Sequence, residues 1–152
     1  MNQFKIKLVK EEIDSNYEQE RISSPSDAVA IAREFINDGR NDRECFVVIC
    51  LSTKHQILGI NLVSMGLLDR SMVTPSNVIK PALLSNSKAI ICFHNHPSGY
   101  TDPSREDSKM TKRLRDACDL IGIDLLDHLI ISSFSEDYYS FLADGDSDIL
   151  NP

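Results

Sequence analysis

The sequence predicts an α/β layered domain in which a mixed β-sheet is flanked by helices. Segments whose apolar residues recur at helical spacing alternate with short apolar runs rich in β-branched residues, as in layered α/β proteins. A chain of 152 residues is long enough to form one domain with a substantial core. We expect this domain over residues 24–143. An N-terminal arm over residues 1–23 would precede it, and an acidic disordered tail over residues 144–152 would follow it.

The arm begins with an alternating pattern that is typical of a strand. Phe4, Ile6 and Leu8 alternate with two lysines, which predicts a short edge strand. The acidic stretch over residues 11–21 is expected to be solvated.

Three helices are predicted where a capping residue stands directly before a proline. Proline suits the first helical position because its missing N–H is not needed there. These starts are Ser24-Pro25, Thr74-Pro75 and Asp102-Pro103, and the third helix is expected to end at Gly122. The expected core positions are, helix by helix, Ala28, Ile31, Ala32, Phe35 and Ile36, then Val78, Ile79, Ala82 and Leu83, then Met110, Leu114, Ala117, Cys118 and Ile121.

The strands are predicted from the apolar runs between these helices. Residues 46–51 are continuously apolar, as in a central strand, and residues 56–65 form its hairpin partner after a turn at His55. Further strands are expected over residues 88–93 and 124–132, with a last short one over residues 138–142.

Two histidines stand where the run over residues 88–93 ends. His94 and His96 are separated by one residue, so both rings project to the same side if the backbone stays extended. Asn95 between them is expected to point the other way and to support the loop. Pro97 and Gly99 then turn the chain.

A carboxylate follows at the start of the third helix. Asp107 lies three residues before Met110, so it falls on the buried stripe of that helix. Two imidazoles and one carboxylate suit a catalytic Zn²⁺, with the fourth position left for water. The pattern Ser104-x-x-Asp107 also fits a helix capping box, and this alternative stays open.

At these residues the chain resembles a known family. The spacing of His94, His96, Ser104 and Asp107 is similar to the metal-binding signature of the JAB/MPN (JAMM) metalloproteases. The surrounding sequence resembles the bacterial RadC branch of this family. The matching segments are residues 73–78, 82–84, 94–99, 103–104 and 126–130. The resemblance covers residues 24–143 and implies a JAB/MPN fold, which is cytidine-deaminase-like. It also implies a zinc metallopeptidase that cleaves peptide or isopeptide bonds with a metal-activated water.

The resemblance further implies a general base and an oxyanion donor. Glu44 stands just ahead of the apolar strand over residues 46–51, where RadC-like sequences carry the JAMM glutamate. The start of that strand can lie beside the histidines if the two strands are antiparallel. Glu34 is the rival base, although it falls on the polar face of the first helix. Ser104 is assigned to the oxyanion by the resemblance.

Charge and composition limit the classes of partner and the compartment that we expect for this chain. The net charge of −7 disfavours a broad duplex-DNA footprint, which needs clustered Lys and Arg. Four cysteines without C-x-x-C spacing indicate buried thiols in a reducing compartment. No apolar run reaches membrane-spanning length and no secretory leader is recognisable, so we expect a cytoplasmic protein without a membrane partner.

Two other functions remain as alternatives. The tripeptide His-Asn-His suggests a metal-dependent nuclease or a DNA-repair-associated factor. Nucleases named for that motif, however, have its residues spread over a hairpin and a helix. A non-catalytic zinc-fold module that binds protein is the third class. Asp127 and His128 lie inside a predicted strand, where they either orient a ligand or form a local hydrogen-bonded pair.

Overall fold

The computed structural model describes residues 21–37, 42–66 and 73–145. Its elements in chain order are α1 (Pro25–Asn37), β1 (Cys45–Leu51), β2 (Ile57–Met65), α2 (Pro75–Leu84), β3 (Ala89–His96), α3 (Arg105–Ile121), β4 (Asp124–Ser132) and β5 (Tyr138–Ser140). The predicted edge strand at Phe4–Leu8 and residues 146–152 of the predicted tail lie outside the described residues.

The five strands form one mixed sheet in the order β2-β1-β3-β4-β5. β1 pairs antiparallel with both β2 and β3, β3 pairs parallel with β4, and β5 returns antiparallel to β4. α3 connects the two parallel strands, as a crossover helix must when it joins neighbours that run in the same direction. The predicted α/β class with a mixed sheet flanked by helices is confirmed.

Two apolar layers cover the two faces of this sheet. Every residue of β1 is buried, because its side chains alternate between the layers. One layer packs the inward stripe of α1 on the sheet, and the other packs α2 and α3 on the opposite face. Ile22 is also buried in the α1 layer, and Arg21 forms an isolated β-bridge with Gln56. The consequence for function is that α3 and the even-numbered side chains of β3 share one face.

Several local predictions need correction. Helix α3 begins at Arg105, because Ser104 and not Asp102 is its N-cap. Leu83 and Ile121 were expected in the core but are 52% and 45% exposed. Both stand in the last turn of a helix, where the helix has passed beyond the neighbours that would cover it.

Other local predictions hold. His55 adopts the left-handed conformation of a turn, with φ 60°. All four cysteines belong to the described residues, and each is buried without a disulfide. No helix of the described ranges is both long and apolar enough to cross a bilayer.

Candidate metal centre

The two histidines lie on β3 at the end of the sheet. β3 continues through His96, so the backbone is extended at both residues and the two rings share the α3 face. Their Nε2 atoms are 3.0 Å apart. His94 is fully buried because β1 and β4 flank it on both sides, whereas His96 sits partly open at the strand end.

Asp107 faces both rings from the first turn of α3. Its Oδ1 lies 3.5 Å from Nε2 of His94, and its Oδ2 lies 3.8 Å from Nε2 of His96. Oδ2 also accepts hydrogen bonds from the backbone N–H of Ser104 at 2.7 Å and from its hydroxyl at 2.6 Å. The capping box is therefore present and fixes the carboxylate that faces the histidines, so the cap does not compete with the proximity to the rings.

Glu44 reaches the same place from β1. The antiparallel register pairs Phe46 with His94, which brings the residues just before β1 beside the end of β3. One ligand atom each of Glu44, His94 and His96 can be chosen so that all three lie within 4.8 Å of one another. This trio is the geometric group that could hold a metal ion, and Asp107 stands next to it.

The environment of Glu44 makes its carboxyl group a better proton acceptor than an ordinary one. Burial raises its pKa above the usual value, with Asp107 adding to the rise and His96 opposing it. A raised pKa suits a group that must take up and release a proton near neutral pH. The rival Glu34 is exposed on α1, on the other side of the sheet.

A buried amide holds the segment that carries Glu44. Asn95 points away from the histidines, as expected, and its Oδ1 accepts the backbone N–H of Cys45 at 2.7 Å. Its Nδ2 donates to the carbonyl of Arg43 at 2.7 Å and to the hydroxyl of Ser133 at 2.9 Å. Asn95 thus fixes the backbone on both sides of Glu44. The one signal for this contact in the sequence is a polar residue inside a strand.

His94 is embedded in a chain of hydrogen bonds behind the centre. Its Nδ1 lies 2.8 Å from Nε2 of His128, and Nδ1 of His128 lies 2.6 Å from the hydroxyl of Thr111. Burial lowers the pKa of His94 to about 4 and that of His128 well below its usual value, so both rings are neutral at pH 7. Asp127 turns away and binds Ser140 and the backbone of Leu142.

Thr111 was missed by the sequence reasoning. It lies one helical turn after Asp107 and one before Leu114, so a polar residue on a buried stripe was the signal that could have found it. Of the pair that the sequence singled out, His128 contacts a candidate ligand, whereas the carboxylate of Asp127 ties β4 to the segment after β5.

His96 is oriented by the loop that follows it. Its Nδ1 lies 2.7 Å from the carbonyl oxygen of Tyr100. The loop closes through a hydrogen bond from the N–H of Gly99 to the carbonyl of His96 at 3.0 Å, and Gly99 has φ 87°, which glycine adopts without strain. Since a carbonyl only accepts, Nδ1 of His96 carries a proton and its Nε2 faces the carboxylates.

The centre opens into a cleft of about 390 Å³. Glu44, His96, Ser104 and Asp107 line one part of it, and the remaining lining residues are Val73, Glu106, Lys109, Met110 and Arg113. The volume falls within the range of small-ligand sites, and the candidate ligands stand at its wall. The structure therefore brings the five sequence-predicted site residues together, four of them at the wall of the cleft and His94 buried behind it.

Comparison with known proteins identifies relatives over most of the chain. The model of the family described as RadC-like JAB domain matches residues 22–146. A UPF0758 protein of Rubrobacter xylanophilus is 41% identical over 124 residues, which are 82% of this chain and 52% of that protein. A UPF0758 protein of Desulfitobacterium hafniense is 46% identical over 110 residues, which are 72% of this chain and 48% of that protein. The chain spans about half the length of these curated relatives.

Proposed function

This chain belongs to the RadC-like JAB domain family, and on that premise we propose that it is a zinc-dependent metallopeptidase or isopeptidase. One observation carries the proposal. Two histidine Nε2 atoms 3.0 Å apart face the carboxylate of Asp107, with Glu44 beside them at the wall of a cleft. This is the ligand chemistry of a catalytic zinc site that leaves a position open.

The donor atoms themselves indicate a cation. Nδ1 of each histidine is engaged elsewhere, that of His94 with His128 and that of His96 with the carbonyl of Tyr100. Two Nε2 atoms and a carboxylate that converge at this distance can all direct lone pairs at a cation placed among them. Imidazole and carboxylate ligands suit zinc and also other divalent ions, and zinc is the ion we propose.

His94, His96 and Asp107 would hold the ion. When bound, Zn²⁺ supplies Lewis acidity and lowers the pKa of a water toward ~7. Glu44, whose pKa is raised by burial, accepts a proton from the attacking water and delivers it to the leaving amine. Its place on a segment clamped by Asn95 keeps the carboxylate aimed at the histidines.

Ser104 has a double task in this proposal. Its hydroxyl donates to Oδ2 of Asp107 in the present arrangement, which holds the carboxylate in place. A hydrogen bond from the same hydroxyl to a developing oxyanion requires a change of acceptor, so the two tasks belong to different stages of the reaction. The cleft beside Ser104 leaves room for such a substrate oxygen.

Glu44→Gln tests the proposal, and Glu106→Gln is a matched control on the wall of the same cleft. We expect Glu44→Gln to lower the rate of hydrolysis of peptide or isopeptide substrates by about 10²- to 10⁴-fold while about one zinc per chain is retained. Glu106→Gln should leave both quantities near wild type. Metal content is measured by elemental analysis, and hydrolysis by mass spectrometry of the products.

Four outcomes would contradict this proposal. Unchanged hydrolysis by Glu44→Gln would show that Glu44 is not the general base. Loss of zinc in that variant would show that Glu44 is a metal ligand instead. Stoichiometric zinc without cleavage of any peptide or isopeptide would favour a non-catalytic module. Cleavage of plasmid DNA that disappears in His96→Ala would favour a nuclease.

A further inference from the structure

We infer that Thr111 and His128 are positioning residues that fix the tautomer of His94, so that its Nε2 keeps a lone pair for a metal ion. The inference rests on the metal-holding part of the proposed function. It concerns two residues behind the centre, neither of which lines the cleft. A buried chain of hydrogen bonds links the two residues to His94, and each proton along it has a definite place.

The first proton is that of the Thr111 hydroxyl. This hydroxyl lies 2.7 Å from the backbone carbonyl of Asp107, and a carbonyl can only accept, so the proton points there. The hydroxyl oxygen is then left as an acceptor for its second neighbour. That neighbour is Nδ1 of His128 at 2.6 Å, which must therefore carry a proton.

The next atom along the hydrogen-bond chain is Nε2 of His128. The ring is fully buried, and its hydrogen-bond partners are Thr111 and His94, neither of which is an anion. A buried imidazolium without an anionic partner is strongly disfavoured, so the ring is neutral and Nε2 has a lone pair. This lone pair lies 2.8 Å from Nδ1 of His94 and accepts a hydrogen bond from it.

The third step gives the state of His94. Nδ1 of His94 therefore carries a proton, which leaves Nε2, the atom that faces Asp107 at 3.5 Å, as the nitrogen available to a metal ion. Aromatic packing keeps both rings in this orientation. Phe46 stacks on His94 with ring centroids 6.0 Å apart, and Phe141 stacks on His128 at 5.1 Å.

The same hydroxyl therefore serves two candidate ligands at once. It restrains the backbone of Asp107 through the carbonyl and the ring of His94 through His128. Without the hydroxyl, Nδ1–H of His128 has no acceptor, and His128 gains by moving its proton to Nε2. His94 would then have to accept at Nδ1 and carry its proton on Nε2, where it blocks the metal.

The experiment uses the full chain and two independent measurements. ¹⁵N NMR of the imidazoles, at neutral pH after removal of metal, reports which nitrogen of His94 carries the proton in the wild type. Titration with Zn²⁺ then measures the dissociation constants of wild type, Thr111→Val and Thr111→Ser. Valine has the shape of threonine without its hydroxyl, and serine restores the hydroxyl, so the pair separates the hydrogen bond from packing.

We expect Nδ1 of His94 to carry a proton in the wild type. We also expect Thr111→Val to bind Zn²⁺ about 10- to 100-fold more weakly, in line with other groups that orient metal ligands, and Thr111→Ser to recover most of this loss. Thermal unfolding of each variant without metal shows whether the fold is retained. If Thr111→Val does not fold, the NMR result on the wild type decides.

Two results would overturn the inference. One is an Nδ1 of His94 that carries no proton in the folded wild type, and the other is a folded Thr111→Val protein with wild-type zinc affinity. If the wild type binds no metal at all, the proposed function fails. The NMR measurement still decides whether Thr111 and His128 set the tautomer of His94.

Discussion

Asn95 provides the sharpest test of how the fold positions Glu44. Its amide accepts the N–H of Cys45 and donates to the carbonyl of Arg43, so one side chain holds the backbone on both sides of the proposed base. Replacement of Asn95 by Ala removes both contacts and the hydrogen bond to Ser133. We expect a loss of stability together with a loss of control over Glu44.

The magnitude follows from the burial of the partners. Cys45 is fully buried, so the loss of the hydrogen bond from its N–H to Asn95 should cost about 1–3 kcal/mol. Arg43 is exposed, and water can replace the amide at its carbonyl with a smaller loss. With the small cavity left behind, the free energy of unfolding should fall by about 2–4 kcal/mol, which a typical domain survives.

Urea unfolding of the metal-free chain at pH 7 measures this change, and Ser133→Ala is the control. Ser133→Ala deletes only one of the three contacts, so it should cost about 0.5–1.5 kcal/mol. In Asn95→Ala the hydrolysis rate should fall more than zinc affinity, because the segment of Glu44 moves while the rings stay on β3. A loss of unfolding free energy below about 1 kcal/mol in Asn95→Ala, or equal effects of the two substitutions, would refute the role of Asn95 in holding the backbone around Glu44.

Two further predictions concern the histidines themselves. Because folding lowers the pKa of His94 from 6.5 to about 4, the unfolded chain binds more protons between these values. His94 alone should therefore make the metal-free protein lose about 3 kcal/mol of stability as the pH falls from 6.5 to 4, and His128, whose pKa burial also lowers, should add to this loss. Urea unfolding across this pH range measures the loss. The stability of His94→Gln should depend less on pH than that of the wild type, and an equal pH dependence of the two proteins would contradict the prediction. Gly99→Ala should lower stability by about 1–2 kcal/mol and weaken zinc binding, since φ 87° is unfavourable for alanine and the loop holds His96. Gly59→Ala is the control, because no atom lies within 4 Å of the carbon that it adds. Both variants are compared by urea unfolding and by zinc titration. Similar effects of the two substitutions would count against this role of the loop.

The local elements were largely predictable because local patterns determine them. The β1 run is apolar at every position, and the α1 stripe has helical spacing, so both could be recognised without a structure. The start of α3 was misplaced by two residues because two rules competed. A proline after Asp102 suggested one start, but the capping box of Ser104 and Asp107 determined the other.

By itself the sequence predicted which residues could form the centre on each element: the histidine pair by its alternation on a strand, and Asp107 by its place on a helical stripe. Only the tertiary structure decided how these elements meet. The antiparallel register of β1 and β3 brings Glu44 to the histidines, and Asn95 and Thr111 bind partners that local periodicity does not specify. The physical reason is that hydrogen bonds between distant segments depend on strand register and helix packing, which arise only when the whole core assembles.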